Sequence, residues 1–155
     1  MSAAAAVRKP GVRALAAQAT RDSILRAATK VFAKHGFAGG RIEQISKAAK
    51  SYDRMIYYYF GSKEGLFVAV LEEMYRRFND AESKLALDAV APVDALCAVI
   101  RFMWVHYQRH PEFITLLNTE NLHRGKHIAK SLRAREYSAP AVSVLGEVLA
   151  RGVRQ

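Results

Sequence analysis

The sequence predicts an all-α protein, and three observations support this fold class. From residue 20 onward, apolar residues recur every three or four positions, which is the spacing that gives a helix one buried face. Pro, Gly and Ser residues divide the chain into segments of helical length. No segment alternates apolar and polar residues as a half-buried strand would.

The first predicted helix begins near Thr20, a favourable N-cap, with Asp22 in its first turn. It ends at His35 and Gly36, because a glycine after the last turn adopts a left-handed conformation without strain. Its apolar stripe consists of Ile24, Leu25, Ala28, Val31 and Phe32.

Two short helices follow. The second begins near Ile42 and directs Ile45, Ala48 and Ala49 inward. The third covers residues 52–60. A helix as short as the second is not stable in isolation, so it must pack against its neighbours.

A longer fourth helix follows Ser62, a predicted N-cap, and has Glu64 in its first turn. It continues to about Phe78. Its wide apolar face consists of Leu66, Phe67, Val70, Leu71, Met74, Tyr75 and Phe78.

The rest of the chain predicts four more helices. One covers residues 93–109, and the next covers residues 111–122 and starts with proline at its favoured first position. Another covers residues 125–135. The last has Pro140 near its start and reaches the end of the sequence.

The composition is that of a folded protein in a reducing compartment. Of the 155 residues, 51% are hydrophobic and 25% are charged, which excludes a disordered chain. This length is enough to bury a core without crosslinks. The one cysteine, Cys97, excludes an intrachain disulfide framework and a cysteine-rich zinc site, so we expect a cytoplasmic protein.

Positive charge is concentrated near the N-terminus. The net charge of +10 and the pI near 10.0 point to a polyanion or an anionic membrane surface as partner. Residues 1–63 contain 12 basic and 3 acidic residues, whereas residues 64–155 contain 12 and 11. Residues 1–19 are expected to form a flexible basic arm, because Pro10 and Gly11 interrupt any helix. No apolar run approaches the about 20 residues that span a bilayer, so no membrane partner is expected.

The three helices predicted between residues 20 and 60 form a helix-turn-helix pattern within this basic region. A helix fits the major groove of DNA, and a partner helix with small residues holds it at an angle to the backbone. Ala48 and Ala49 supply the small residues. The third helix carries the aromatic and basic side chains that can reach bases and phosphates.

The run IYYYFGSKEGLF of residues 56–67 is the most specific motif in the chain. With it, this region resembles the TetR/AcrR family of bacterial transcriptional regulators, whose signature combines aromatic residues, a short turn and a lysine. The resemblance covers residues 20–71, and the order of the helices extends it more weakly to the end. The other matching residues are Arg21, Ile24, Leu25, Ala27, Ala28, Phe32, Gly36, Ile45, Ala48 and Ala49.

The resemblance implies a helix-turn-helix DNA-binding domain over residues 20–65 and a helical ligand-sensing and dimerisation domain over residues 66–155. Family members end in two long helices that pair with those of a partner subunit. This chain stops inside the first of the two, so either the second domain is truncated, as we expect, or dimerisation uses another surface.

By resemblance, Tyr57 and Lys63 contact the DNA backbone. Tyr59 also faces DNA, and Arg41 contacts a phosphate. Arg54 is the best candidate for a guanine contact, because its guanidinium group matches the O6 and N7 edge. The predicted DNA-binding residues are Arg41, Tyr52, Asp53, Arg54, Met55, Tyr57, Tyr58, Tyr59 and Lys63.

Two positions in the third helix have a structural alternative. Of Tyr57 and Phe60, one must belong to the core, and we assign Phe60 to it. Asp53 either caps the third helix or reads a cytosine, and we favour the cap.

One turn departs from the family pattern. Where members usually have Gly-Val-Ser, this chain has Lys50, Ser51 and Tyr52. Lys50 must then adopt a conformation that glycine adopts without strain, or the turn differs. Alternatively, Lys50 and Tyr52 add contacts to DNA.

The near-neutral C-terminal region is expected to bind a small apolar effector, because it combines apolar walls with a few polar anchors. The alternative is that these residues form ordinary core. The candidates are Phe102, Met103, Trp104, Tyr107, Phe113, Leu117, Asn118 and Asn121.

No metal, cofactor or catalytic activity is expected. His106 and His110 are spaced as metal ligands on one helix face, and so are His123 and His127 with Glu120 nearby. The helix boundary at the second histidine should spoil the first pair, and no thiol or aspartate cluster supports either. The phosphate-loop, nucleophile-elbow and zinc-protease motifs are absent from the sequence.

These observations together predict a homodimeric one-component regulator of transcription. By resemblance, it is a repressor that binds a palindromic operator in double-stranded DNA and is released by the effector. The alternative is an architectural nucleic-acid-binding protein that senses no ligand.

Overall fold

The computed structural model describes residues 11–131 and 133–153, and within these ranges all regular structure is helical. This agrees with the predicted all-α class. Two 3₁₀ turns lie at Ser83–Leu85 and Ile128–Lys130. The helices are α1 (Val12–Gly39), α2 (Ile42–Ala48), α3 (Asp53–Phe60), α4 (Lys63–Glu82), α5 (Pro92–Arg109), α6 (Pro111–Leu122) and α7 (Ala134–Val153).

We call α1, α2 and α3 the head and α5, α6 and α7 the body; α4 connects them. Among the described residues, no helix is both long and apolar enough to cross a bilayer.

The start of α1 was predicted wrongly. Thr20 lies inside the helix, and its hydroxyl donates to the carbonyl of Ala16 at 3.0 Å instead of capping the first turn. The alanine-rich stretch before it favours helix strongly enough to extend α1 back to Val12. Residues 11–19, expected in the flexible arm, are therefore helical except for Gly11, and residues 1–10 lie outside the described part of the chain.

The predicted break after His35 lies at Gly36, but the helix resumes beyond it and α1 ends at Gly39. Gly36 has φ 68° and ψ 178°, a combination that is open essentially to glycine, and it interrupts the regular helix.

One core runs from the head into the body. The rings of Phe32 in α1 and Phe67 in α4 meet edge to face, with centroids 5.1 Å apart. Ile45 of α2, Ile56 of α3 and Leu116 of α6 are completely buried in the same cluster. The head therefore cannot move as a unit without disturbing contacts to α4 and α6.

Helix α2 buries a different set of residues from the one predicted. Ala49 is buried, but Ala48 is exposed, so its predicted inward position was wrong. The buried positions are Ile42, Ile45, Ser46 and Ala49, which follow the three- and four-residue spacing of a single helix face. Ala48 lies off that face.

The predicted caps and the predicted face of α4 are confirmed. The hydroxyl of Ser62 accepts the backbone N–H of Gly65 at 2.9 Å. The apolar face is buried except for Tyr75, which is half-buried, and the helix extends one turn beyond Phe78 to Glu82. Helix α6 has the predicted bounds, and α5 starts one residue earlier than predicted, at Pro92.

The helix predicted over residues 125–135 was wrong. Arg124 and Gly125 have positive φ, and the N–H of Gly125 donates to the carbonyl of Glu120 at 3.0 Å, which ends α6. A turn and the short 3₁₀ segment follow. The last helix was also misplaced: α7 begins at Ala134, so Pro140 lies inside it and not near its start.

Lys50 adopts the conformation that the sequence requires of it. It has φ 52° and follows the C-cap of α2. The N–H of Ser51 donates to the carbonyl of Ser46 at 2.9 Å, and that of Lys50 donates to Lys47 at 3.2 Å. This pair of bonds is a Schellman motif, in which glycine normally occupies the left-handed position.

Replacing that lysine by glycine should stabilise the protein. We expect Lys50→Gly to raise the free energy of unfolding by about 0.5–1 kcal/mol, because relief of the left-handed strain outweighs the added freedom of the unfolded chain. Urea unfolding measures this as a higher midpoint with an unchanged m-value. Lys47→Gly, inside α2, is the control and should destabilise by about 1 kcal/mol. A lower midpoint for Lys50→Gly would contradict the assignment of strain.

Candidate nucleic-acid interface

The outer face of α3 presents aromatic and basic side chains to solvent. Tyr52, Tyr57 and Tyr58 are 70%, 51% and 78% exposed. Arg54 is also exposed, and its guanidinium carbon lies 5.3 Å from the centre of the Tyr52 ring. We call these four residues the α3 face.

The inner face of α3 anchors the helix to the core. Ile56 is fully buried, while Met55, Tyr59 and Phe60 are half-buried and pack against the core cluster. The guanidinium carbon of Arg21 lies 5.0 Å from the centre of the Phe60 ring. Two residues predicted to contact DNA, Met55 and Tyr59, thus lie on the side of α3 that faces the protein.

A side-chain hydrogen bond fixes α3 to α2. The hydroxyl of Ser46, which is buried, donates to the carboxylate of Asp53. The expectation that Asp53 caps α3 was wrong, because Tyr52 is the N-cap residue and Asp53 is already within the helix. Sequence reasoning missed Ser46; its place on the i, i+3, i+4 stripe with Ile42 and Ile45 was the available signal.

Lys63 and Arg41 lie beside α3 at the starts of α4 and α2. The ammonium group of Lys63 donates to the carbonyl of Ala38 at 3.2 Å and lies 5.0 Å from the centre of the Phe37 ring. Arg41 is exposed, and its backbone N–H donates to the side chain of Gln44 at 3.2 Å. The free N–H groups at the start of a helix favour an anion close to Lys63.

A turn of the body reaches the head through His127. This buried imidazole packs against the rings of Phe37 and Phe67, with centroids 4.6 and 5.0 Å away. Its Nδ1 lies 2.8 Å from Oε2 of Glu120, which is also buried. Oε1 of Glu120 accepts the backbone N–H groups of His127 and Ile128 at 2.7 and 2.9 Å. Phe37 also contacts Lys63, which is predicted to bind DNA, so the turn packs against a residue that positions Lys63.

A surface ion pair strengthens the same junction. Lys130 lies 2.6 Å from the carboxylate of Glu64 in α4, and this hydrogen bond holds the pKa of Glu64 below its usual value. The hydroxyl of Ser131 donates to Glu72, one further α4 residue. The turn is therefore attached to α4 at more than one point.

The histidines that could have been metal ligands make contacts within the chain. Glu120 and His127 bind each other directly, and Nδ1 of His123 lies 2.7 Å from the carbonyl of Thr119. The rings of His106 and His110 lie 4.6 Å apart, with His110 at the C-cap of α5. In residues 11–131 and 133–153, no three metal-binding side chains converge.

The candidate effector residues differ in their burial. Phe113 is buried, while Phe102, Met103, Tyr107 and Leu117 are half-buried against the core. The other three candidates are exposed: Trp104, Asn118 and Asn121.

Two family models match the chain. The model described as "Bacterial regulatory proteins, tetR family" matches residues 24–70, and "Tetracyclin repressor-like, C-terminal domain" matches residues 92–155.

Two curated proteins are similar over most of the chain. The HTH-type transcriptional repressor NicS of Pseudomonas putida is 59% identical over 145 residues, which are 94% of this chain and 68% of that protein. The HTH-type transcriptional repressor SCO4008 of Streptomyces coelicolor is 31% identical over 137 residues, covering 88% of this chain and 68% of that protein.

A solved structure has a similar fold. HlyIIR, a hemolysin II transcriptional regulator, is 30% identical with a TM-score of 0.70, over 90% of this chain and 75% of that chain.

Proposed function

The chain belongs to the TetR family of helix-turn-helix transcriptional regulators, and on that premise we propose that it represses transcription as an effector-released homodimer on a palindromic operator. Arg54 of the α3 face reads a guanine in the major groove, with Tyr52 and Tyr58 beside it. Tyr57, Lys63 and Arg41 contact phosphates on either side of the groove.

The observation that carries this proposal is the two-sided character of α3. Its inner residues anchor it to the core. Its outer residues, Arg54 and the three tyrosines of the α3 face, do not pack in that core and are exposed to solvent. An exposed aromatic and basic surface on a short helix, fixed by the Ser46–Asp53 bond, fits a groove-reading helix. The excess of basic residues before Glu64 supplies the long-range attraction to DNA.

The proposed release mechanism uses the His127 turn. An effector that contacts body residues such as Phe102, Tyr107 or Phe113 would shift α6 relative to α4. Glu120 lies in α6 and holds His127 against Phe37, so such a shift would reach the support of Lys63. The effector weakens DNA binding only if it binds the DNA-free conformation more tightly than the DNA-bound one.

Selection of bound duplexes from a random DNA pool tests the proposed function. We expect the recovered sequences to share two inverted half-sites, each containing a guanine at one fixed position. Recovery of unrelated sequences with equal affinity would instead support the architectural alternative. No retention of duplex at low salt would contradict both functions, since either requires backbone contacts.

A further inference from the structure

A groove of about 960 Å³ lies between α1, α4 and the corner where α5 meets α6. This groove is not the site predicted for the effector. Of the eight candidate effector residues, only Phe113 is among the described residues that line it. Met74 of α4 and Phe113 of α6, which are 7% and 4% exposed, line it together with Val31 of α1, which is half-buried. The groove therefore offers an apolar wall that touches both head and body.

The groove carries an excess of positive charge. Glu73, one of its carboxylates, already accepts from Arg76 at 2.9 Å and from Arg77 at 2.6 Å, and the bond from Arg76 is the main cause that lowers its pKa. Arg26 and Lys30 are exposed and have no ion-pair partner among the described residues. Its charged side chains are Arg21, Arg26, Lys30, Arg76, Arg77, Asp22, Glu73 and Glu112.

An imidazole without a hydrogen-bond partner faces this groove. His106 is 9% exposed, and its ring nitrogens bond to no group in the described residues. Phe78 and Phe113 pack around it, with centroids 5.1 and 5.3 Å away. Burial lowers the pKa of His106, with His110 as the second cause. Its ring nitrogens are open to the groove, so they are available to a polar atom of a ligand.

We propose that this groove binds an amphipathic organic anion. Its charged group pairs with Arg26 and Lys30, and its apolar part lies against Val31, Met74 and Phe113. His106 donates to a polar atom of the ligand. A molecule held here contacts α1 of the head and the α5–α6 corner of the body at once.

Fluorescence titration with 8-anilinonaphthalene-1-sulfonate, an amphipathic anion, tests this site without any DNA. Its failure is thus separate from failure of the proposed function. We expect saturable binding to the whole chain and competition by decanoate. Arg26→Ala/Lys30→Ala should weaken binding about 5-fold, the effect of losing two partly exposed ion pairs. The matched control removes two exposed cations outside the groove, Lys84→Ala/Arg101→Ala, and should leave the affinity unchanged.

Three results would overturn the proposal. One is the absence of saturable binding to the wild-type chain. Another is an equal loss in the groove and control variants, which would indicate general attraction to a basic surface. The third is equally strong competition by decanol and by decanoate. Decanol has no charge, so this result would show that the site binds apolar chains and does not select an anion.

Discussion

Arg54→Ala is expected to weaken binding to the selected operator by about 1–3 kcal/mol, or roughly 5- to 150-fold, and to relax sequence preference at one position per half-site. The guanidinium group is exposed on α3 and lies against the Tyr52 ring, and no carboxylate among the described residues pairs with it. A fork of donors in that position matches the O6 and N7 atoms of guanine.

Binding should be measured by anisotropy over a range of salt concentrations. Lys63→Ala is the informative comparison, because loss of a phosphate contact weakens binding to all sequences alike and lowers the salt slope by about 0.9. Arg101→Ala, an exposed arginine of α5, is the control and should change neither quantity. An Arg54→Ala protein that kept its preference at every base would show that the arginine contacts only the backbone.

Glu120→Ala is expected to lower the free energy of unfolding by about 3 kcal/mol or more. The carboxylate is 2% exposed and accepts three hydrogen bonds from His127 and Ile128. Without it, two backbone N–H groups and an imidazole nitrogen remain buried without partners. Because His127 also packs on Phe37, the loss should reach the head as well.

Glu120→Gln separates the role of the hydrogen bonds from that of the volume. The amide oxygen can still accept both backbone N–H groups, and its NH₂ group can donate to His127 in the other tautomer. We expect a loss of about 1 kcal/mol, measured by urea unfolding, with DNA affinity retained at temperatures where the variant is folded. Equal stability of wild type and Glu120→Ala would contradict a supporting role for the pair.

Local signals predicted part of the head. The Ser62 cap and the break at Gly36 each depend on residues within one turn of chain, whereas the positive φ of Lys50 was expected from the resemblance to a family that has glycine there. The apolar stripes of α1 and α4 follow from helical spacing in the same way. The exposed residues of the α3 face were predicted from the helix-turn-helix pattern and from the resemblance to the TetR/AcrR family.

Contacts between distant segments were beyond such reasoning. Glu120 and His127 were considered only as metal ligands, because spacing shows that two side chains can meet but not that they bind each other. The same carboxylate holds the turn that replaces the predicted helix over residues 125–135. The Ser46–Asp53 bond likewise depends on the angle between α2 and α3, which no local pattern sets.

The central claim is that α3 lies in the major groove with Arg54 on a guanine, and methylation protection by dimethyl sulfate tests it most directly. The reagent modifies N7 of guanine in that groove. On the selected operator, the wild-type chain should protect one guanine in each half-site, and Arg54→Ala should restore its reactivity while protection elsewhere persists. Full reactivity of all guanines under saturating wild-type protein, or identical patterns for the two proteins, would contradict the claim.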